Sequence, residues 1–167
     1  MQYGARRLIK IILTSVAAIF CTALLVGIAC EQLGRWQDRE RFPQIGRSVD
    51  IDGRSLNINC LGESGPTVVL NSAANQPGYE WAVIQPKIAQ FTRVCWWDRA
   101  GVGWSDPGPY PRTSQANAKD LHALLQASGI APPYVLVGYS AGGHDVRVYH
   151  GLYPDEVARG GVSGRSA

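Results

Sequence analysis

The chain has 167 residues, 46% of them hydrophobic, and its formal net charge of +3 comes from 16 basic and 13 acidic residues. Three basic residues before residue 11 account for the whole excess, so the rest of the chain is neutral, with 13 charges of each sign. It carries no basic patch and no run of like charges. This balance argues against a nucleic-acid partner and favours a small-molecule or lipid-like substrate.

An uncharged apolar segment covers residues 11–30 and follows the three basic residues. Its length of 20 residues equals the roughly 20 that cross a bilayer as a helix. We therefore expect a cytoplasmic tail at residues 1–10, a transmembrane anchor at 11–30 and a polar linker at 31–45. The resulting prediction is a single-pass membrane protein whose following domain lies on the exported side.

Two other interpretations of this segment stay open. Gly27, Ile28 and Ala29 form the small-x-small triplet of a cleaved secretory signal, which would leave a secreted domain. Cys30 follows that triplet directly, as in a lipoprotein signal. All three interpretations carry the following domain across a membrane.

Short apolar runs and helical stretches alternate in the domain that we predict for residues 46–167. In the first part polar and apolar residues alternate, as they do in a β-hairpin. In the later part short apolar runs are separated by helix-length stretches, as in a parallel sheet with crossover helices. The predicted strands are 47–52, 54–59, 67–70, 93–97 and 134–137, and the predicted helices are 79–90, 113–128 and one from just after residue 140 to about 153. The pattern predicts an α/β fold.

The second of these helices has one apolar face, and the residues that form it are Ala118, Leu121, Leu124 and Leu125. Their spacing places all four side chains on the same side of an α-helix. We expect this face to pack on the sheet, and we expect Gly129 to end the helix.

A Gly-x-Ser-x-Gly pentapeptide at residues 138–142 follows the last strand and precedes the last helix. In this strand-turn-helix setting Ser140 occupies a strained turn with its hydroxyl above the sheet. Gly138 and Gly142 remove side chains that would collide there. The helix start points backbone N–H groups at the reacting oxygen, so the amide of Ala141 can stabilise an oxyanion. The motif predicts a serine nucleophile.

Residues 98–105, Asp-Arg-Ala-Gly-Val-Gly-Trp-Ser, form a second motif. With both motifs, the chain from about residue 46 to 157 resembles the serine α/β-hydrolase superfamily. The resemblance implies a mostly parallel sheet with flanking helices, and hydrolysis of an ester, amide or lactone through a Ser140 acyl-enzyme. It also implies a second oxyanion amide at Ala74, although Ala73 stands where the family usually has Gly. Asp98 and Arg99 would then hydrogen-bond neighbouring loops.

The cysteines are Cys21, Cys30, Cys60 and Cys95. None has the close spacing of a zinc or redox site, so we expect no metal and no other cofactor. In the strand order that the resemblance implies, the second and fourth strands are neighbours. The latter two cysteines would then lie on adjacent strands, either as a disulfide or as two buried thiols.

The acid and the histidine of this family usually follow the serine by about a hundred residues, whereas 27 residues follow Ser140. None of the three histidines, His122, His144 and His150, has the expected placement, and the tail at 159–167 is rich in Gly and Ser. We therefore expect a partial domain that ends after about the fifth strand, without its triad acid and base. The alternative function is a non-catalytic fragment or pseudoenzyme tethered to a membrane. Substrate and oligomeric state stay open.

Overall fold

A computed structural model describes residues 2–158, and the Gly- and Ser-rich tail at 159–167 lies outside the described residues. The chain divides into two compact units, residues 1–44 and 45–167. The first unit contains the N-terminal helix, and the second contains a sheet with its helices.

The N-terminal unit is one helix, α1 (Gln2–Arg41). Its stretch from Lys10 to Asp38 is long and apolar enough to cross a membrane, although a signal sequence near an N-terminus has the same properties. The helix continues through most of the residues that we assigned to a linker and ends just before Pro43. Proline has no N–H to donate to the helix ladder, which explains the end at that point.

The second unit is built on a five-stranded mixed sheet with the order β1-β2-β4-β3-β5. The strands are β1 (Arg47–Asp50), β2 (Ser55–Leu61), β3 (Thr67–Asn71), β4 (Val94–Trp97) and β5 (Tyr134–Gly138). β2 pairs antiparallel with β1 and β4, whereas β3 pairs parallel with β4 and β5. The predicted hairpin and the predicted α/β architecture are confirmed.

Three helical connections follow β3, β4 and β5. The predicted helix at 79–90 is divided into a 3-10 turn (Gly78–Val83) and a short helix α2 (Gln85–Ile88). Pro86 lies at the start of α2, where its missing N–H cannot continue the preceding turn. The other two helices are α3 (Ser114–Ala127) and α4 (Ala141–Leu152).

α3 packs as its sequence predicts. The hydroxyl of Thr113 accepts a hydrogen bond from the backbone N–H of Ala116 at 3.2 Å and caps the helix start. The helix ends before Gly129, which adopts a φ of 68° that few other residues tolerate. Its apolar face is buried against the sheet core through Ala118, Leu121, Leu124 and Leu125. This confirms the predicted face.

Cys60 and Cys95 occupy paired positions on β2 and β4. Their Cα atoms lie 4.1 Å apart, and a disulfide bond joins the two side chains. Cys21 and Cys30 are free and exposed on α1. The strand order therefore brings together two cysteines that are 35 residues apart in the chain.

We predict that alkylation of the unreduced, denatured chain modifies two cysteines, because paired sulfurs have no thiol to react. After reduction, four cysteines should react, and intact mass spectrometry counts the adducts. A Cys60→Ser/Cys95→Ser chain should show two adducts in both conditions. Four adducts without reduction would contradict the disulfide.

Candidate active site

Ser140 lies in the turn between β5 and α4, in a backbone conformation that L-residues seldom adopt. Its φ is 51° and its ψ is −126°, and the side chain is exposed. A non-glycine residue with such angles costs about 1 to 3 kcal/mol and persists only where its surroundings hold it. We refer to residues 138–142 as the nucleophile turn.

The two glycines of the nucleophile turn lie where no Cβ atom fits. A Cβ on Gly138 would stand 2.4 Å from the carbonyl oxygen of Gly142. One on Gly142 would stand 2.3 Å from the carbonyl oxygen of Asn71 at the end of β3. Both distances lie far inside van der Waals contact, so the helix can approach the sheet this closely only with glycine at both positions.

Parallel pairing of β3 and β5 brings two loops together at the carboxyl edge of the sheet. Asn71, the last residue of β3, is in register with Gly138, the last residue of β5. The segment 71–74, which we name the oxyanion loop, therefore starts beside the nucleophile turn. Ala74 from this loop and Ala141 from α4 line one cavity of about 390 Å³. Their donation to an oxyanion stays a prediction.

Arg99 anchors the oxyanion loop to α4. Its side chain is 10% exposed, and Nη1 and Nη2 donate to the carbonyl oxygens of Ala73 and Ser72 at 2.7 and 2.6 Å. Its Nε donates to the carboxylate of Asp145 on α4 at 2.7 Å. Because the Ala73 carbonyl and the Ala74 N–H share one planar peptide unit, fixing the first also orients the second. Arg99 thus has the scaffolding contacts that the sequence predicts.

Asp98 is also a scaffolding residue. Its carboxylate is buried and accepts hydrogen bonds from the backbone N–H of Gly78 at 2.6 Å and of Trp104 at 3.1 Å. The side-chain amide of Asn57 adds a third at 2.9 Å. These contacts tie together the segments after β3 and β4, so this carboxylate holds the loops in place.

The family model for the alpha/beta hydrolase fold matches residues 66–160, which is more than half of the chain. The chain belongs to the α/β-hydrolase family. The match covers the oxyanion loop and the nucleophile turn, and the strand order agrees with this fold.

Known proteins similar to this α/β-hydrolase chain include enzymes. The uncharacterized protein YbdG of Bacillus subtilis is 27% identical over 156 residues, which are 90% of this chain and 47% of that protein. A solved structure of Est816, described as an N-acyl homoserine lactone degrading enzyme, is 27% identical with a TM-score of 0.61 and covers 66% of this chain and 42% of that one. A thermophilic esterase from Thermogutta terrifontis is 25% identical with a TM-score of 0.60 and covers 66% and 42%. This chain spans less than half the length of each.

The three histidines of this α/β-hydrolase chain lie on α3 and α4. His122 is paired with Glu156 at 3.2 Å. Glu156 follows the C-terminal end of α4, whereas Ser140 precedes its start, and 12 helical residues span about 18 Å. His144 is exposed in the first turns of α4, and His150 is exposed in its last turn. The structure therefore places the His122–Glu156 pair at the opposite end of the helix from the serine.

Two buried tyrosines near Glu156 have raised pKa values. Burial, followed by the hydrogen bond that its hydroxyl donates to Glu156 at 2.6 Å, raises the pKa of Tyr149. Burial, with a smaller contribution from the charge of Glu156, raises the pKa of Tyr134 to about 12. The Tyr134 hydroxyl donates to the carbonyl oxygen of Ile130 at 2.7 Å. Both phenols therefore favour the neutral form in the folded domain.

Sequence reasoning missed a second set of contacts at the nucleophile turn, which involves Glu80, Trp81 and Tyr139. The hydroxyl of Tyr139 donates to Glu80, and its ring meets the ring of Trp81 edge-on with centroids 5.6 Å apart. The hydrogen bond to Glu80 raises the pKa of Tyr139. The motif leaves position 139 unspecified, and no spacing rule connects it with position 80, so the sequence held no signal for this contact.

We predict that stability falls as pH rises from about 10 to 12. The unfolded chain releases the Tyr134 proton near pH 10, whereas the folded domain holds it to about pH 12, so ionisation favours unfolding in this window. A Tyr134→Phe chain should therefore lose about 2 kcal/mol less than the wild type between pH 9 and pH 12. Denaturant unfolding of the two thiol-alkylated chains, followed by tryptophan fluorescence, measures their free energies of unfolding at each pH. Identical pH dependence of the two chains would contradict the prediction.

Proposed function

We propose that Ser140 is the nucleophile of a serine hydrolase that acts on a small carboxylic ester, amide or lactone. The observation that carries the proposal is the strained backbone of Ser140, with φ 51° and ψ −126°, at the start of α4. Such a conformation costs free energy, and strain of this kind is concentrated at functional sites. A serine in an ordinary turn does not need this strained conformation, whereas here two glycines that admit no Cβ flank Ser140 and allow it.

In the proposed reaction, the Ser140 oxygen attacks the substrate carbonyl carbon while its proton passes to a general base. The carbonyl oxygen becomes an oxyanion, which the N–H groups of Ala74 and Ala141 stabilise. The oxyanion collapses to an acyl-enzyme, and the leaving oxygen or nitrogen takes the proton from the base. Water then attacks the acyl carbon and gives a proton to the base, the base returns that proton to the Ser140 oxygen, and the free acid departs.

The general base is the part of the machinery that we do not assign within residues 2–158. His122 is paired with Glu156 at the far end of α4, and His144 is exposed in the first turns of α4, four residues beyond Ser140. This observation favours a second candidate function. The chain would then be a non-catalytic, membrane-tethered member of the family that binds a ligand or a partner.

The substrate class rests on similarity. Est816 degrades an N-acyl homoserine lactone, and the relative from Thermogutta terrifontis is an esterase. We propose a substrate with a carbonyl group of the same kind. The apolar part of α1 supports a membrane location, and we propose that the hydrolase domain lies on the exported side, where the Cys60–Cys95 disulfide persists.

A fluorophosphonate probe distinguishes the two candidate functions, because it labels a serine only when that serine is activated. If Ser140 is the nucleophile, the folded wild-type chain is labelled and Ser140→Ala abolishes the label. Ser64→Ala, which changes an exposed serine in the loop after β2, should leave labelling unchanged. A folded wild-type chain that takes no label would favour the non-catalytic function.

A further inference from the structure

Glu80 contacts both loops of the candidate site. Its Oε1 accepts a hydrogen bond from the backbone N–H of Ala73 at 3.3 Å, and its Oε2 accepts one from the hydroxyl of Tyr139. Ala73 belongs to the oxyanion loop, and Tyr139 directly precedes Ser140. We propose that Glu80 and Tyr139 are positioning residues that hold the oxyanion loop against the nucleophile turn.

With this contact, both backbone polar groups of Ala73 are hydrogen-bonded to side chains, an arrangement that we call the grip on Ala73. Arg99 binds its carbonyl oxygen at 2.7 Å, and Glu80 binds its N–H. The peptide units on both sides of the Ala73 Cα are therefore restrained, which leaves the Ala74 N–H little freedom to rotate.

The link to Tyr139 connects this grip to the nucleophile. Arg99 ties the oxyanion loop to Asp145, which is five residues beyond Ser140 on α4, whereas Glu80 ties it to the residue immediately before Ser140. The Trp81 indole reinforces the second tie, since it packs edge-on against Tyr139 and donates to the Ser72 hydroxyl at 3.1 Å. One contact therefore reaches the residue before Ser140, and the other reaches α4 beyond the nucleophile turn.

The tie also needs the right charge states. Tyr139 must stay protonated to donate, and the hydrogen bond from its hydroxyl to Glu80 raises its pKa, which favours the neutral phenol. A carboxylate can accept two donors at once, one on each oxygen. A glutamine at position 80 keeps one acceptor oxygen for Ala73 and places an amide beside the phenol oxygen, which can itself accept.

The consequence for catalysis rests on the proposed function of Ser140. Oxyanion donors work only when they are held within about 0.5 Å of the productive position, and the loss of one donor costs about 10²- to 10³-fold in rate. Glu80 and Tyr139 act through Ala74 and not on the substrate. Their removal should therefore slow the chemical step by about tenfold and leave the binding of the probe unchanged.

The test combines labelling kinetics with amide exchange. Glu80→Ala and Tyr139→Phe should lower the fluorophosphonate inactivation rate constant about tenfold with an unchanged inhibition constant, and Glu80→Gln should recover most of the rate. Tyr79→Phe is the matched control, because Tyr79 is 55% exposed on the same 3-10 turn. In hydrogen exchange followed by mass spectrometry, the peptide that contains Ala73 and Ala74 should exchange at least fivefold faster in Glu80→Ala than in the control.

Two results would overturn the positioning role. One is an inactivation rate constant in Glu80→Ala within twofold of the control. The other is unchanged amide exchange at the oxyanion loop in that variant. A wild-type chain without label, or one whose label survives Ser140→Ala, contradicts the proposed function instead. The amide exchange rates then test by themselves whether Glu80 holds the oxyanion loop.

Discussion

The architecture of the candidate site depends on one close approach between backbones. The first turn of α4 lies so near the end of β3 that a Cβ atom on Gly142 would stand 2.3 Å from the carbonyl oxygen of Asn71. This approach lets the start of α4, which carries the backbone N–H of Ala141, stand beside the loop that follows β3. Ser140 is forced into a strained conformation by the same turn. Strain at the serine and access to backbone donors therefore have one cause.

Side chains then fix what the backbone has brought together. Arg99 holds two carbonyl groups of the oxyanion loop and the Asp145 carboxylate, and Asp98 joins the neighbouring segments. On the other side, Glu80 connects Ala73 with Tyr139. The membership in the α/β-hydrolase family and the geometry of these contacts support a hydrolase, whereas the His122–Glu156 pair lies at the wrong end of α4 to serve Ser140.

The parts that could be predicted from the sequence are those governed by local rules. Strand periodicity, the apolar face of α3 and the glycine at its end follow from spacing and backbone preference, and the structure agrees with them. The prediction of one continuous helix at 79–90 was wrong, because Pro86 divides this segment into a 3-10 turn and a short α-helix. Contacts such as that of Glu80 with Tyr139 join residues 59 positions apart, and no periodicity or motif encodes such a pairing. They depend on how the loops meet after the sheet has formed.

The most direct test of this account compares two neighbouring glycines of α4. A Cβ atom on Gly142 collides with the Asn71 carbonyl, whereas one on Gly143 finds its nearest neighbour at an ordinary 3.5 Å. We predict that Gly143→Ala leaves stability unchanged or raises it by up to about 1 kcal/mol, as alanine does inside helices. Gly142→Ala should instead destabilise the domain by more than about 2 kcal/mol in denaturant unfolding. Equal stabilities of the two variants would contradict the central role of this contact.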